Sequence, residues 1–122
     1  MVTFVKNTLL TITLLLCAWQ ALPASQEKAG ADAETARTAE LFSERCARCH
    51  GEDGRGQTVI GRMLDAPDFT DERWWGEGKD GRRFVRSINE GKGEMPAFGR
   101  KLSRSEIKAL AAYVSSFRKS ER

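Results

Sequence analysis

The 122-residue chain is short of the residues that most often staple a small fold or build an active site. It has three cysteines, three prolines and a single histidine. Three cysteines do not make the disulfide framework of a small secreted domain, which takes four, six or eight. One histidine means that any imidazole ligand is His50. No run reaches the roughly 20 apolar residues of a membrane-spanning helix; the stretch from Leu9 to Trp19 stops at eleven. Period-two alternation, the mark of a half-buried strand, is missing after residue 24. Gly51, Gly54 and Gly56 are not followed by Gly-Lys-Ser/Thr, so they are not a phosphate-binding loop. A net charge of +3 is too small for the electrostatic footprint of a nucleic-acid binder.

What is present is concentrated in Cys46-Ala47-Arg48-Cys49-His50. The C-x-x-C-H spacing is that of covalent c-type haem attachment. Two thiols three positions apart lie about one helical turn from each other and can meet two vinyl groups on one haem edge. The imidazole after the second thiol then falls beneath the iron. Structural zinc needs four N or S ligands, and this cluster offers three. A thioredoxin-like redox pair also uses C-x-x-C, but it comes with a βαβ pattern. No strand run stands near Cys46.

Residues 1–24 read as a signal peptide, with Lys6 as the positive region, Leu9 to Trp19 as the apolar core and Ala24 at the expected cleavage point. A retained N-terminal anchor and a lipoprotein at Cys17 are the competing readings, the latter disfavoured by bulky Leu16. Cleavage leaves 98 residues, enough for one small domain with a modest core. A buried haem would add apolar mass to it. Residues 25–33 are expected to be a flexible lead-in, and residues 34–119 the domain.

Ala33 to Arg45 is rich in alanine and charge, which favours a helix running into the motif. Ser103 and Glu106 form a capping box at the head of a second helix, with Ile107, Leu110, Ala111, Val114 and Phe117 as its apolar stripe. A third helix is expected from Gly81 to Glu90, stopped by Gly91, and a short one capped by Thr70. The fold class is therefore all-α, with three to four helices and long loops wrapped around one haem.

These residues together resemble the class I monohaem c-type cytochromes of bacterial, exported type. The resemblance rests on Phe42, on Cys46 to Gly56, on Gly93-Glu94-Met95-Pro96-Ala97-Phe98-Gly99 and on Leu102 to Val114, and it covers most of residues 34–118. It implies crossing N- and C-terminal helices and an iron ligated by His50 and Met95. A second histidine ligand is not on offer, and of the methionines after residue 24 Met95, in its Met-Pro loop, matches the family's distal ligand. Met63 is expected to be a packing residue. The resemblance also implies that the Pro67 carbonyl accepts the second N–H of His50, which would orient the ring. Trp74 or Trp75 is a candidate donor to a haem propionate. The family's glycine four residues before Phe42 is replaced by Thr38, which puts the closeness of the helix crossing in question.

The implied function is single-electron transfer by one covalently attached haem c, cycling between Fe(III) and Fe(II) in a periplasmic respiratory or oxidative chain, with no substrate turnover. One alternative is a haem subunit relaying electrons within an oxidoreductase complex. The other is a gas-binding or peroxidase-like protein with an open distal position. Partners are expected to be redox proteins, without nucleic acid, and without membrane unless the N-terminal segment is retained. Residues 79–108 carry nine Lys/Arg against four Asp/Glu, a net of +5, whereas residues 25–78 carry seven against twelve, a net of −5. The basic stretch around Met95 is expected to steer an acidic partner, weighed against an ordinary solvated surface.

Overall fold

A computed structural model describes residues 24–76 and 81–118. The signal-peptide reading, with Cys17, falls outside them except at Ala24. The chain divides into two units at Asp32/Ala33, and the buried side chains among the described residues all belong to the second. Six helices are described: α1 (Ala24–Arg45), α2 (Ala47–His50), α3 (Val59–Met63), α4 (Glu72–Trp75), α5 (Gly81–Glu90) and α6 (Arg104–Phe117). No named strand occurs among the described residues; Lys92 and Met95 form an isolated antiparallel bridge. None of the described helices is long and apolar enough to cross a membrane.

α1 begins upstream of the Ala33 start that composition predicts, so residues 25–33 have helical backbone. Alanine, glutamine, glutamate and lysine favour that conformation without packing. Every side chain from Gln26 to Arg37 is exposed. Burial begins at Thr38, whose hydroxyl donates to the Glu34 carbonyl at 2.8 Å. A threonine in the family's glycine position thus satisfies its own polar group within α1.

The core is built where α1 meets α6. Phe42 is 1% exposed, and its ring lies 5.2 Å from that of Tyr113 and 5.4 Å from that of Phe117. The expected stripe on α6 is the buried one: Ile107, Leu110, Ala111 and Val114 are all inside, with Phe117 packed against them. α5 contributes Phe84 and Ile88, and Gly91 ends it at φ +79°, a left-handed conformation that glycine adopts without strain. α4 is capped by Asp71, which accepts from the Arg73 amide, and not by Thr70. Thr70 is held by Asp68 instead, through its amide at 2.8 Å and its hydroxyl at 2.7 Å.

The capping box of α6 forms as its sequence predicts. The Glu106 amide donates to Ser103 Oγ, while the Ser103 amide donates back to Glu106 Oε2 at 2.7 Å. Ser103→Ala is expected to cost about 1 kcal/mol in chemical denaturation. Hydrogen bonds from the Ser103 hydroxyl and amide hold the Glu106 carboxyl below its ordinary value. A group depressed on folding stabilises above its unfolded pKa, and that contribution disappears as pH falls through the folded one. Stability of the native chain should therefore decline more steeply on acidification through the carboxylate range than that of Ser103→Ala. Parallel pH profiles would refute this.

Candidate haem site

α2 is a single turn, set off from α1 by a break at Cys46, where φ is −121° and ψ −38°. The Cys49 and His50 amides both donate to the Cys46 carbonyl, at 3.1 and 3.0 Å. This tight turn puts Cys46, Cys49 and His50 on the wall of one cavity of ≈ 790 Å³. That volume falls in the range of about 300–1,000 Å³ usual for small-molecule and cofactor sites. Phe42, Phe84, Ile88, Phe98, Leu110 and Val114 supply much of the apolar lining. Both thiols are free and half-buried.

The electrostatics of the wall follow from burial. Desolvation, with a smaller push from Cys49, raises the Cys46 thiol to about 11. Desolvation also lowers the pKa of His50, favouring the neutral imidazole, the form that ligates metals. His50 Nδ1 is buried and has no hydrogen-bond partner. Buried polar atoms are rarely left so, and a cavity wall carrying one has the polar chemistry of a metal-ligand site. The Pro67 carbonyl, expected to accept from this ring, does not bond to it. Pro67 O instead lies against Gly56, 2.9 Å from where a Cβ would stand. The ring is flanked by Phe69, stacked at 4.8 Å with 22° between planes. Sequence reading missed Phe69, because an apolar residue in a loop carries no local signal of what it stacks upon.

Met95 reaches the same cavity from the other end of the fold. Its loop is pinned to α5: the Phe98 amide donates to Ile88 O at 2.9 Å and the Gly99 amide to Asn89 O at 3.1 Å. Lys92 and Met95 exchange backbone bonds at 3.1 and 3.0 Å, closing the turn that presents the thioether. Met95 is half-buried against the core cluster. Met63 is not the packing residue expected: it is 75% exposed, at the end of α3. The four site residues of the sequence reading, Cys46, Cys49, His50 and Met95, thus line one cavity.

At Gly56, φ is +66° and a Cβ would stand 2.5 Å from the Ala66 carbonyl oxygen, so its close approach is to the chain itself. One further expectation changes: Trp75 is committed elsewhere, its indole N–H donating to the Phe69 carbonyl at 2.7 Å. Trp74, by contrast, lies on the cavity wall.

The helical shell and its pocket define a c-type cytochrome. The solved structure titled KustC0563 c-type cytochrome superposes with a TM-score of 0.60 at 36% identity, covering 66% of this chain and 95% of that one. More particularly, the family described as cytochrome c oxidase, cbb3-type, subunit III matches residues 33–114, and the chain belongs to it. Curated relatives include the cbb3-type cytochrome c oxidase subunit FixP of Azorhizobium caulinodans, 43% identical over 77 residues, 62% of this chain and 25% of that protein. FixP of Bradyrhizobium diazoefficiens is 38% identical over 84 residues, 68% of this chain and 27% of the relative. The subunit CcoP of Cereibacter sphaeroides is 35% identical over 89 residues, 70% and 29% respectively. The chain therefore spans only about a quarter of the length of these relatives.

Proposed function

We propose that this chain is a haem c electron relay working within an oxidoreductase complex of the cbb3 oxidase kind, itself non-catalytic. The observation that carries the reading is the convergence of the C-x-x-C-H turn and the Met95 loop on one apolar cavity. The family match favours the relay within a complex over the free shuttle that the sequence alone puts first. One haem is assigned; Cys46 and Cys49 would hold it through thioether bonds, and His50 and Met95 would ligate its iron. Bound there, the haem supplies one reversible electron step between Fe(III) and Fe(II). The protein's part is to hold the imidazole neutral by burying it beside Phe69 and to present the thioether from a pinned loop. With His50 and Met95 both as ligands, the iron would have no open site for a substrate. We assign residues 1–24 to a signal peptide cleaved after Ala24, residues 34–119 to the haem domain, and the site of action to the periplasm.

A second reading, a free one-electron carrier, rests on the likeness to the solved c-type cytochrome, 95% of which is covered by 66% of this chain. The full chain, made in a host that matures c-type haem, tests the assignment. Intact mass is expected to equal residues 25–122 plus one haem, surviving denaturation, and a chain without covalent haem would sink the reading. In cells that make the protein natively, its covalent-haem signal should migrate with oxygen-reducing activity in native gels. A signal found only at the mass of the lone chain would select the free carrier.

A further inference from the structure

The imidazole of His50 has a flat neighbour on one face. Phe69 lies 4.8 Å from it, ring centre to ring centre, with 22° between planes. Beyond Phe69 stands Phe117 of α6, 6.3 Å away and inclined by 23°. The three rings form one column from the cavity wall to the meeting of α1 and α6, where Phe117 lies 5.4 Å from Phe42.

The middle ring has little room to move. Phe69 is buried, its amide donates to the Gly54 carbonyl at 2.8 Å, and its carbonyl accepts from the Trp75 indole at 2.7 Å. Trp74 packs against the ring, 5.2 Å away and tilted by 59°. Gly54 also seats the outer ring, since a Cβ there would stand 2.8 Å from atoms of Phe117. One residue therefore braces both phenylalanines.

A ligating histidine needs a support of this kind. The last torsion of its side chain is broad and roughly two-fold, so covalent geometry leaves the imidazole plane loosely set. In metal sites the plane is ordinarily held by a hydrogen bond at the second ring nitrogen. Nδ1 of His50 is buried and has no such partner, and the fixed surface beside the ring is Phe69. Offset rings with centres about 4.5–7 Å apart attract. Turning the imidazole out of its plane gives up that stacking and presses its edge on a ring that is held from behind.

We infer that Phe69, backed by Phe117, is the positioning residue that sets the plane of the His50 imidazole. The inference rests on the haem-relay reading and goes beyond it by naming what orients the ligand. The plane of an axial imidazole governs which iron d orbital carries the unpaired electron of the ferric state, and so over which pyrrole rings that electron spreads. Orientation of a ligand by its neighbours is thus a means of tuning the metal. A plane kept in both oxidation states also spares the relay a ligand rotation at each electron step.

Proton NMR of the ferric holoprotein provides the test, because the haem-methyl shifts report that spread. Phe69→Leu keeps an apolar side chain but removes the flat face, and it should lose the native order of the haem-methyl shifts. Phe117→Leu, which slackens the column from behind, should move the same resonances by a smaller amount. Ile107→Ala is the control for plain destabilisation. Ile107 is 3% exposed, and its truncation should lower Tm at least as far as Phe69→Leu while keeping the native order. Native shifts in Phe69→Leu would overturn the inference, as would native shifts in Phe117→Leu should the first variant take up no haem. Loss of the native order in Ile107→Ala would overturn it too, since a loosened core alone would then suffice. A native protein that takes up no covalent haem would instead remove the relay reading on which the inference rests.

Discussion

Met95→Leu in the holoprotein is expected to abolish the weak sulfur-to-iron absorption of the ferric form and to let the ferrous form bind carbon monoxide. Leucine and methionine have similar volumes, and such exchanges in cores cost less than about 1.5 kcal/mol. The half-buried side chain should therefore keep its place against the core cluster, so the change reads ligation and not unfolding. Axial ligand choice moves haem potentials across about 0.8 V, and loss of the thioether, which raises the potential, should lower it by on the order of 0.1 V. Met63→Leu is the control. Met63 lies outside the cavity lining and is 75% exposed, so its replacement should leave spectrum and potential as they were. A native spectrum in Met95→Leu, or its loss in Met63→Leu, would reverse the ligand assignment. Carbon monoxide binding by the native ferrous protein would revive the open-site alternative.

The features legible in the sequence were those whose signal is local. Ser103 and Glu106 three residues apart, a stripe at helical spacing and a glycine after Glu90 each name a physical device, and each stands where it was expected. Cys46 to His50 names its chemistry by spacing alone. The Met95 loop needed more, because nothing near Met95 says that it lines the same cavity as His50. The likeness to a known family supplied that pairing. What escaped was tertiary. α3 is Val-Ile-Gly-Arg-Met, too short for a period and weak in helix propensity, and it is a helix because Thr58 caps it and the turn before it is fixed. Phe69 beside His50 and the Pro67 carbonyl beside Gly56 are contacts between segments that composition cannot rank. The choice between Thr70 and Asp71 as cap was decided by Asp68, which binds Thr70 first.

Gly61→Ala should be among the most damaging single-methyl additions available in this chain, costing about 3 kcal/mol as an overpacked backbone contact. For a domain of this size that lowers Tm by roughly 10–20 °C. A Cβ at Gly61 would collide with the carbonyl oxygens of Cys49 and Gly56, both backbone atoms. Neither can step aside cheaply. The Cys49 carbonyl accepts from Thr58 Oγ1 at 3.2 Å, and the Gly61 amide donates to the same hydroxyl at 2.8 Å. The Gly56 amide in turn holds the His50 carbonyl at 2.7 Å. Relief of the collision must therefore displace α2, which carries both thiols and the imidazole, or detach α3 from it. The variant is accordingly expected to lose covalent haem yield along with stability, whereas a remote overpacked site would lose stability alone. Gly30→Ala provides the contrast, since Gly30 lies in α1 with nothing within 4 Å of its added methyl. Alanine there should leave Tm unchanged or raise it, by the helix propensity gained. If Gly61→Ala melted with the native protein and took up haem as well, α3 would not be the brace that holds the attachment turn against the cavity.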